Sequence, residues 1–273
     1  MRVTIKDVAK AAGVSVATVS YVLNDSGAVS SEKKQRVRQV ARELGYVPNG
    51  IAKALQAKRN GMAGYFAYSL TGPFFGQVMR GIEDTFNATD EEIVACSCSS
   101  AKKKVTHLLS ERMVDGTIVF GEHIEDELII RIAGAGCPVV LMDRNLCSRY
   151  ISCITIDNEQ CAYDVGRYIH DRGFRRVGCI IGEGPDGIRR TKGFRAAVRD
   201  FGLELPEEWF LNGDFQREIA QKKVLQCLED RKALPEVIFA FNDEMAIGAM
   251  EALTRMGFRI PEDISVIGMD DIS

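Results

Sequence analysis

Polar and aromatic side chains follow the carboxyl ends of several short apolar runs in this chain. Aspartates follow three of the runs, an asparagine follows another, and an arginine lies in the segment after a further run. Carboxylate, amide and guanidinium groups form bidentate hydrogen bonds with hydroxyl groups, and aromatic rings stack against sugar rings. The pattern therefore indicates a site for a polyhydroxylated ring. The residues are Phe74, Phe75, Asp143, Arg144, Asp157, Arg190, Asn242 and Asp270.

Helix caps and ion pairs at loop ends are the alternative interpretation for some of these positions. We assign Asp243 and Asp271 to that structural group. A hydrolytic pair formed by Asp270 and Asp271 is not expected, because adjacent residues of a strand point to opposite faces.

The stretch 182–187 has the spacing G-x-G-x-x-G between a predicted strand and a predicted helix, as in dinucleotide-binding loops. Pro185 lacks an amide hydrogen, however, and the carboxylates of Glu183 and Asp186 would repel a pyrophosphate. No arrangement of Ser, His and Asp or of Cys and His suggests nucleophilic catalysis. We therefore predict that the chain is not an enzyme and uses no cofactor.

The eight cysteines and three histidines do not indicate a metal site or a disulfide framework. Cys96 and Cys98 are two residues apart, and the other cysteines are scattered without a Cys-x-x-Cys pair. Small buried thiols in a reducing compartment are the simpler interpretation.

Short β-rich runs alternate with amphipathic helices after residue 60, which predicts parallel sheets covered by helices. A new series of strands and helices begins after Asp157, so we divide this part into two lobes with a ligand cleft between them. The predicted strands are residues 64–69, 93–97, 116–120, 138–142, 154–156, 177–181, 237–241 and 264–268.

The first 24 residues predict two short helices joined by a tight turn. Ala9 allows two helices to cross closely, Gly13 tolerates a positive φ in the turn, and Val19 anchors the second helix. These are the requirements of a DNA-binding helix-turn-helix. Ser15 is positioned to cap the second helix, whose exposed side chains are short or flat, as a helix in a major groove requires.

A third helix is predicted after Val29, with Ser30 or Ser31 as its cap and Gly45 at its end. Its inner face would carry Val37, Val40, Ala41 and Leu44. After Pro48 the stretch NGIAKAL has room for one or two helical turns, which are marginal in isolation, so this segment is expected to fold when bound.

Charge is distributed unevenly along the 273 residues. Residues 1–60 contain 11 Lys and Arg against 4 Asp and Glu, whereas the rest contains 24 against 34. A basic head on an acidic body is typical of a nucleic-acid-binding module fused to a domain of another kind. Without a signal peptide or an apolar run of transmembrane length, we expect a cytoplasmic protein that does not enter the membrane.

The chain resembles bacterial transcriptional regulators of the lactose/galactose repressor (LacI/GalR) family. Matching stretches occur in the family's order from the first residues to the last, which makes the joint match specific. They are TIKDVAKAAGVSVATVSYVLN, GYVPNGIAKAL, GPFFGQVMRGIE, VDGTIVFG, PVVLMDR, ITIDN, RRTKGF, FNDEMAIGAM and PEDISVIGMDD.

This resemblance implies an all-α helix-turn-helix headpiece and an α/β core like that of periplasmic binding proteins, with two doubly wound parallel-sheet lobes. The expected boundaries are 1–48 for the headpiece, 49–60 for a hinge helix and linker, 61–157 for lobe 1 and 158–273 for lobe 2. Family chains continue beyond the GMDDI stretch, so lobe 2 is expected to be incomplete if Ser273 is the terminus, which would put dimer contacts and the effector response in doubt.

The resemblance also implies DNA contacts by residue. Val16 and Ala17 would touch thymine methyl groups, and the hydroxyl of Tyr21 would reach a base edge. Leu55, with Lys53 beside it, would wedge into the minor groove at the operator centre. The remaining positions would contact the DNA backbone without reading sequence: Thr4, Ser15, Thr18, Ser20 and Asn24.

Effector contacts are implied for six positions that match pocket residues of the family: Phe75, Asp143, Arg190, Phe215, Asn242 and Asp270. The match is less specific for Phe74, Arg144 and Asp157.

We therefore expect a sequence-specific regulator, most simply a repressor, that binds double-stranded palindromic operator DNA as a homodimer. A small effector, a carbohydrate by this interpretation, would bind the cleft and reorient the lobes. The alternatives are a periplasmic-type binding protein that does not regulate and a shortened regulator with an impaired effector response.

Overall fold

The computed structural model describes residues 3–47, 59–98, 106–146, 148–229 and 233–272. A helical headpiece occupies the N-terminal part, and two parallel β-sheets with flanking helices follow it. Within the described residues, no helix is both long and apolar enough to cross a membrane.

Three helices form the headpiece around a small apolar core. The buried core side chains come from all three helices: Val8, Ala9, Ala12, Val19, Val22, Val37 and Ala41. The helices are α1 (Ile5–Ala12), α2 (Val16–Leu23) and α3 (Ser31–Glu43).

The first sheet, in lobe 1, contains five parallel strands in the spatial order β2-β1-β3-β4-β5. The strands are β1 (Met62–Ala67), β2 (Glu92–Ser97), β3 (Gly116–Phe120), β4 (Val139–Met142) and β5 (Ile151–Ile154). The helices between them are α4 (Pro73–Phe86), α5 (Thr106–Ser110) and α6 (Asp126–Gly134).

Both faces of this sheet are covered by helices, which explains the nearly continuous apolar sequence of its strands. Tyr65 and Ala67 of β1 belong to the apolar cluster that includes residues of α4. Phe66 belongs to a second cluster with Leu128 and Ile129 of α6. Alternate residues of β1 therefore face opposite helical layers.

The second sheet, in lobe 2, contains four parallel strands in the order β7-β6-β8-β9. The strands are β6 (Val177–Ile181), β7 (Phe210–Asn212), β8 (Val237–Ala240) and β9 (Ser265–Ile267). The helices are α7 (Asn158–Asp171), α8 (Gly184–Asp200), α9 (Arg217–Glu229) and α10 (Asp243–Arg255).

The two lobes repeat one topology. In each lobe the first strand lies between the second and third strands of that lobe. The second strand is therefore added on one side of β1 or β6 and the third strand on the other side, which creates a topological switch point there. Ligands of open α/β sheets bind outside the carboxyl ends of strands at such switch points. The residues after β1, β3, β6 and β8 therefore lie where a ligand of this fold is expected.

One strand was predicted at the wrong place and another was missed, and β1, predicted at 64–69, lies two residues earlier, at Met62–Ala67. The fifth strand spans Ile151–Ile154 rather than 154–156, because its pairing with β4 runs from Ile151 to Ile154 and Ile156 lies beyond the last pair. The apolar alternation of Ile154 and Ile156 extends beyond the paired segment. Strand β7 was not predicted, since it has only three residues and follows a short 3-10 helix.

Candidate nucleic-acid interface and interlobe cleft

The turn between α1 and α2 has the geometry that its sequence predicts. Gly13 adopts a φ of 67°, and its amide donates to the carbonyl oxygen of Lys10, which ends α1. The Oγ atom of Ser15 accepts a 3.1 Å hydrogen bond from the amide of Thr18, so the predicted cap of α2 is confirmed. Ala9 and Val19 are both buried in the headpiece core. Helix α2 is therefore fixed at its start and along its inner face.

The outer face of α2 is exposed, and two of its three named side chains are small. Val16 is 42% exposed and Tyr21 is 50% exposed, and Ala17 beside them is also exposed. Val19 and Val22 on the opposite face are fully buried. The helix thus presents two small apolar side chains and one phenol to solvent while its position is set by the core. That arrangement suits a helix lying in a major groove.

Short polar side chains border this exposed face and already take part in local hydrogen bonds. Thr4 donates through its amide (2.9 Å) and its hydroxyl (2.7 Å) to a carboxylate oxygen of Asp7 in the first turn of α1. The hydroxyl of Ser15 lies 2.8 Å from that of Thr18, and Asn24 Nδ2 donates to Ser20 Oγ over 3.3 Å. Lys53 and Leu55, the expected minor-groove residues, lie outside the described residues.

Arg190 is the most buried charged residue at the carboxyl ends of the lobe 2 strands. Its side chain is 7% exposed, and its Nε donates a 2.7 Å hydrogen bond to Oδ1 of Asn158 at the start of α7. Its Nη1 donates to the carbonyl oxygen of Phe241, directly after β8. The guanidinium carbon also lies 5.9 Å from the ring centre of Phe215. These contacts bring three predicted site segments together around one cation.

Carboxylates from both lobes lie close enough to Arg190 for its charge to lower their pKa values. Burial raises the pKa of Asp270 to about 6; Arg190 opposes that shift, while Asp243 and Asp143 add to it. Burial also raises the pKa of Asp143, with Asp186 adding to the shift and Arg190 opposing it. Asp143 follows β4 of lobe 1 and Asp270 follows β9 of lobe 2. The two sheets therefore direct charged groups into a common cleft.

Tyr68 is a cleft residue that sequence reasoning missed. It follows β1, and burial raises the pKa of its hydroxyl, with contributions from Asp270, Asp186 and Asp143. Its ring packs edge-on against Phe75, with 4.8 Å between the ring centres. The predicted strand 64–69 included Tyr68, whereas β1 ends at Ala67, so the misplaced boundary hid the position of Tyr68 at the strand end.

Aromatic side chains form the lobe 1 wall of the cleft. Phe74 and Phe75 pack edge to face at 5.3 Å, and both rings contact Phe120 at the end of β3. Phe75 is buried, whereas Phe74 is half-buried. Phe74 is thus the more accessible of the two predicted stacking rings.

The G-x-G-x-x-G stretch serves packing within lobe 2. A Cβ atom on Gly182 would overlap the ring of Phe215, and one on Gly187 would overlap the carbonyl group of Gly182. Asp186 accepts a 2.8 Å hydrogen bond from Asn158 Nδ2. The carboxylate of Asp186 and the amide of Asn158, neither of which was predicted as a site residue, therefore belong to the Arg190 cluster.

Three predicted effector residues form structural contacts. The carboxylate of Asp157 accepts from the amide of Gln160 (3.0 Å) and caps α7. Asn242 accepts from the amide of Met245 (3.0 Å) and caps α10, while its Nδ2 donates to the carbonyl oxygen of Phe215 (3.3 Å).

Arg144 donates to the carbonyl oxygen of Ile124 over 2.7 Å and pairs with Asp126, the first residue of α6. The alternative of caps and ion pairs thus describes the contacts of Asp157, Asn242 and Arg144. Among the described residues, no group of three or more His, Cys, Asp or Glu side chains is placed to hold a metal ion.

Two families match different parts of the chain. The family described as bacterial regulatory proteins, lacI family, matches residues 4–49. The periplasmic binding protein-like domain matches residues 167–273. The first match covers the helix-turn-helix, and the second covers most of lobe 2.

Curated relatives match nearly the whole chain. The HTH-type transcriptional regulator DegA of Bacillus subtilis (strain 168) is 34% identical over 280 residues, which cover 99% of this chain and 82% of DegA. The HTH-type transcriptional repressor PurR of Pectobacterium carotovorum subsp. carotovorum (strain PC1) is also 34% identical, with 98% of this chain and 81% of PurR covered.

Solved structures have the same fold. A LacI-family regulator from Silicibacter pomeroyi superposes with a TM-score of 0.80 at 26% identity, covering 99% of this chain and 83% of that one. The lac repressor dimer bound to operator and the anti-inducer ONPF gives 0.75 at 26% identity, covering 100% and 84%. The complex of the regulator CelR with cellobiose gives 0.66 at 28% identity, covering 99% and 84%.

Proposed function

The chain belongs to the lacI family of bacterial regulatory proteins, and we propose that it is a repressor that binds operator DNA through α2 and responds to an effector bound between its lobes. The observation that carries this proposal is the exposed face of α2, which is held rigid by a buried core and presents Val16, Ala17 and Tyr21. The lacI-family match over residues 4–49, which include this helix, supports it further.

Each of these three side chains suits a base edge. The methyl groups of Val16 and Ala17 offer apolar contact to thymine methyl groups, and the hydroxyl of Tyr21 donates to or accepts from a base edge in the major groove. The polar residues that border the helix would hold the DNA backbone: Thr4, Ser15, Thr18, Ser20 and Asn24.

The operator in this proposal is pseudo-palindromic and is bound by a homodimer. Two-fold symmetry would place one α2 helix in each half-site. The structure of the lac repressor dimer on its operator supports this arrangement by analogy. Lys53 and Leu55 are proposed to contact the minor groove between the half-sites, with Leu55 as the wedge.

The effector is proposed to be an uncharged carbohydrate. Asp143, Asp186 and Asp270 provide carboxylate acceptors for hydroxyl groups, and their combined charge exceeds that of the buried Arg190, which disfavours an anionic ligand. Phe74 and Phe215 provide ring faces for stacking. The cellobiose complex of CelR gives a precedent within the family.

Effector binding is proposed to act on DNA affinity through the relative position of the lobes. Asp143 and Tyr68 belong to lobe 1, whereas Asp270 and Arg190 belong to lobe 2, so a ligand that contacts both sets would favour one lobe arrangement. A ligand shifts such an equilibrium only by its difference in affinity for the two states. The division at residues 48, 60 and 157 is part of this proposal, and the positions of β5 and α7 support the last boundary.

Sedimentation equilibrium tests whether the chain forms the proposed homodimer. The full chain is measured alone and with a duplex pool enriched by repeated rounds of selection on the protein. A dimer, formed alone or on the DNA, supports the proposal, whereas a monomer under both conditions contradicts it. Fluorescence anisotropy with the same pool and a random duplex of equal length then separates specific from general DNA binding.

A further inference from the structure

The loop after α2 folds back over the exposed reading helix. It spans residues 24–28, and the amide of Ser26 donates a 2.9 Å hydrogen bond to the carbonyl oxygen of Tyr21. Asp25 and Gly27 both have positive φ values, 50° and 81°. The loop therefore reverses direction within a few residues and lies against the last turn of α2.

Gly27 lies directly against the ring of Tyr21. A Cβ atom added to Gly27 would be 3.2 Å from Cγ, 3.4 Å from Cδ1 and 3.5 Å from Cβ of Tyr21. The first distance is tighter than most contacts of a Cβ atom, so the Tyr21 side chain would have to shift by a few tenths of an ångström to admit one. Half of the Tyr21 side chain remains exposed. One side of the phenol thus rests on the loop while the other is available to DNA.

Helix α3 anchors the loop from the other side. Arg38 forms an ion pair with Asp25, and Arg42 Nε donates to the carbonyl oxygen of Arg38 over 3.2 Å. At the start of the loop, the amide of Asn24 donates to the carbonyl oxygen of Ser20 over 3.0 Å. The loop beside Tyr21 is therefore joined to α3 by an ion pair at the surface of the headpiece.

We propose that Gly27 is a positioning residue that determines which base Tyr21 reads. Because Gly27 has no side chain, Tyr21 can lie beside the loop in its observed position, from which its hydroxyl would reach one region of the groove. A Cβ atom at position 27 would shift the ring by a few tenths of an ångström, and a longer side chain would add further atoms beside it, so the hydroxyl would leave the position from which it reads its base. This proposal rests on the proposed DNA-binding function.

The contact has a direct physical consequence. A flexible phenol would lose rotamer freedom on binding and would tolerate several bases, whereas a fixed phenol binds with less loss of entropy and discriminates more sharply. Gly27 thus contributes to specificity without touching DNA. Asparagine is the informative substitution, because it tolerates a positive φ better than other side chains and still adds a Cβ atom.

Selection from a randomised operator library tests the proposal with four full-length proteins: wild type, Tyr21→Ala, Gly27→Asn and Gly45→Asn. Gly45 is the matched control, because it also has a positive φ (63°) but a Cβ atom there would meet no atom within 4 Å. Thermal unfolding of each protein establishes that the headpiece is folded. If Gly27→Asn fails to fold, Asp25→Asn, which weakens only the exposed anchor, replaces it.

Gly27→Asn is expected to change base preference at the operator position that Tyr21→Ala changes, by at least about fivefold, the lower limit for one lost base contact. Gly45→Asn is expected to keep the wild-type consensus. An unchanged consensus for Gly27→Asn, or a loss of affinity that is uniform over all positions, would overturn the proposal. If the wild type itself selects no consensus, the proposed DNA-binding function fails and this role fails with it.

A second measurement does not depend on DNA. Nuclear Overhauser spectroscopy of the full chain, with labelled glycine and tyrosine, is expected to give a cross-peak between the Gly27 α-protons and the Tyr21 ring protons. Absence of that cross-peak would overturn the positioning role whatever the operator selection gives.

Discussion

Arg190 donates through Nε to Oδ1 of Asn158 over 2.7 Å, which joins the second turn of α8 to the start of α7 inside lobe 2. The same guanidinium donates to the carbonyl oxygen of Phe241, so a buried cation connects three elements at the carboxyl edge of the second sheet. These contacts form part of the lobe 2 side of the cleft.

We predict that Arg190→Met lowers the free energy of unfolding of the core by about 2–4 kcal/mol. The substitution leaves Asn158 Oδ1 and the Phe241 carbonyl oxygen buried without their donor, and unpaired buried polar groups are expensive. Urea unfolding monitored by circular dichroism measures the change. Arg189→Met on the same helix is the control, because its half-exposed side chain makes only a 3.9 Å ion pair with Asp186. A loss below about 0.5 kcal/mol for Arg190→Met would contradict the prediction.

Asp270 gives the core a defined pH dependence. Because its pKa is raised from 3.8 to about 6 in the folded protein, the folded state holds the proton more tightly than the unfolded state. Its contribution to stability is therefore fully present below about pH 4 and is lost as the pH rises through 6. Relative to wild type, Asp270→Asn should gain about 1–3 kcal/mol between pH 4 and pH 7, with screening at the cleft surface allowed for.

Unfolding free energies of wild type and Asp270→Asn across that pH range check the sign. Asparagine has nearly the same shape as aspartate, so the substitution removes the charge without changing how the side chain fits the φ of 122° at this position. Asp271→Asn is the control, since Asp271 is exposed and also has a positive φ. A stability difference between wild type and Asp270→Asn that stays constant from pH 4 to pH 7 would be inconsistent with a raised pKa.

Gly193 permits the close approach of α7 and α8. A Cβ atom there would overlap the carbonyl oxygen of Glu159, which is backbone and cannot move aside as a flexible side chain can. Gly193→Ala should destabilise the core by about 1–3 kcal/mol through overpacking. Gly76→Ala in α4, where a Cβ atom meets nothing within 4 Å, should instead stabilise by about 0.5–1 kcal/mol. Equal effects of the two substitutions in urea unfolding would refute this account of lobe 2 packing.

Leu55→Ala tests the proposed minor-groove wedge. We expect affinity for the selected operator to fall by at least about tenfold while affinity for a random duplex changes by less than about twofold, because only the specific complex bends the central step around the wedge. Lys53→Ala is the comparison, since loss of a phosphate contact weakens binding to both DNAs. Fluorescence anisotropy at fixed salt measures the six affinities, those of wild type and both variants for each DNA. An equal loss of affinity for both DNAs in Leu55→Ala would contradict the role of Leu55 as a wedge.

The fold was largely predictable because its strongest signals are local. Gly13 and Ser15 define the turn and cap of α2 by backbone requirements that few other residues meet, and the structure has both features. The apolar runs of β1, β3 and β6 are buried on both faces and were easily recognised. The two failures, β5 and β7, occur where strand pairing rather than local pattern sets the limits, as the exposed Ile154 and Ile156 illustrate.

The candidate cleft was only partly predictable. Strand-end positions led to Asp143, Arg190 and Asp270, because parallel strands align their carboxyl ends. Tyr68 and Asp186 were missed, since their importance arises from charges that approach from the opposite lobe or a neighbouring helix. Sequence position also could not separate the helix-capping roles of Asp157 and Asn242 from ligand contacts. Both caps depend on the exact start of the helix that follows.

The most direct test of the central claim is selection of the full-length chain on a fully randomised duplex library, followed by equilibrium binding to the consensus and to a scrambled duplex of the same composition. We predict two inverted half-sites with a preference over scrambled DNA of at least about a thousandfold, as specific regulators have. Failure of the library to converge, or equal affinity for consensus and scrambled duplexes, would contradict the assignment of α2 as a DNA-reading helix.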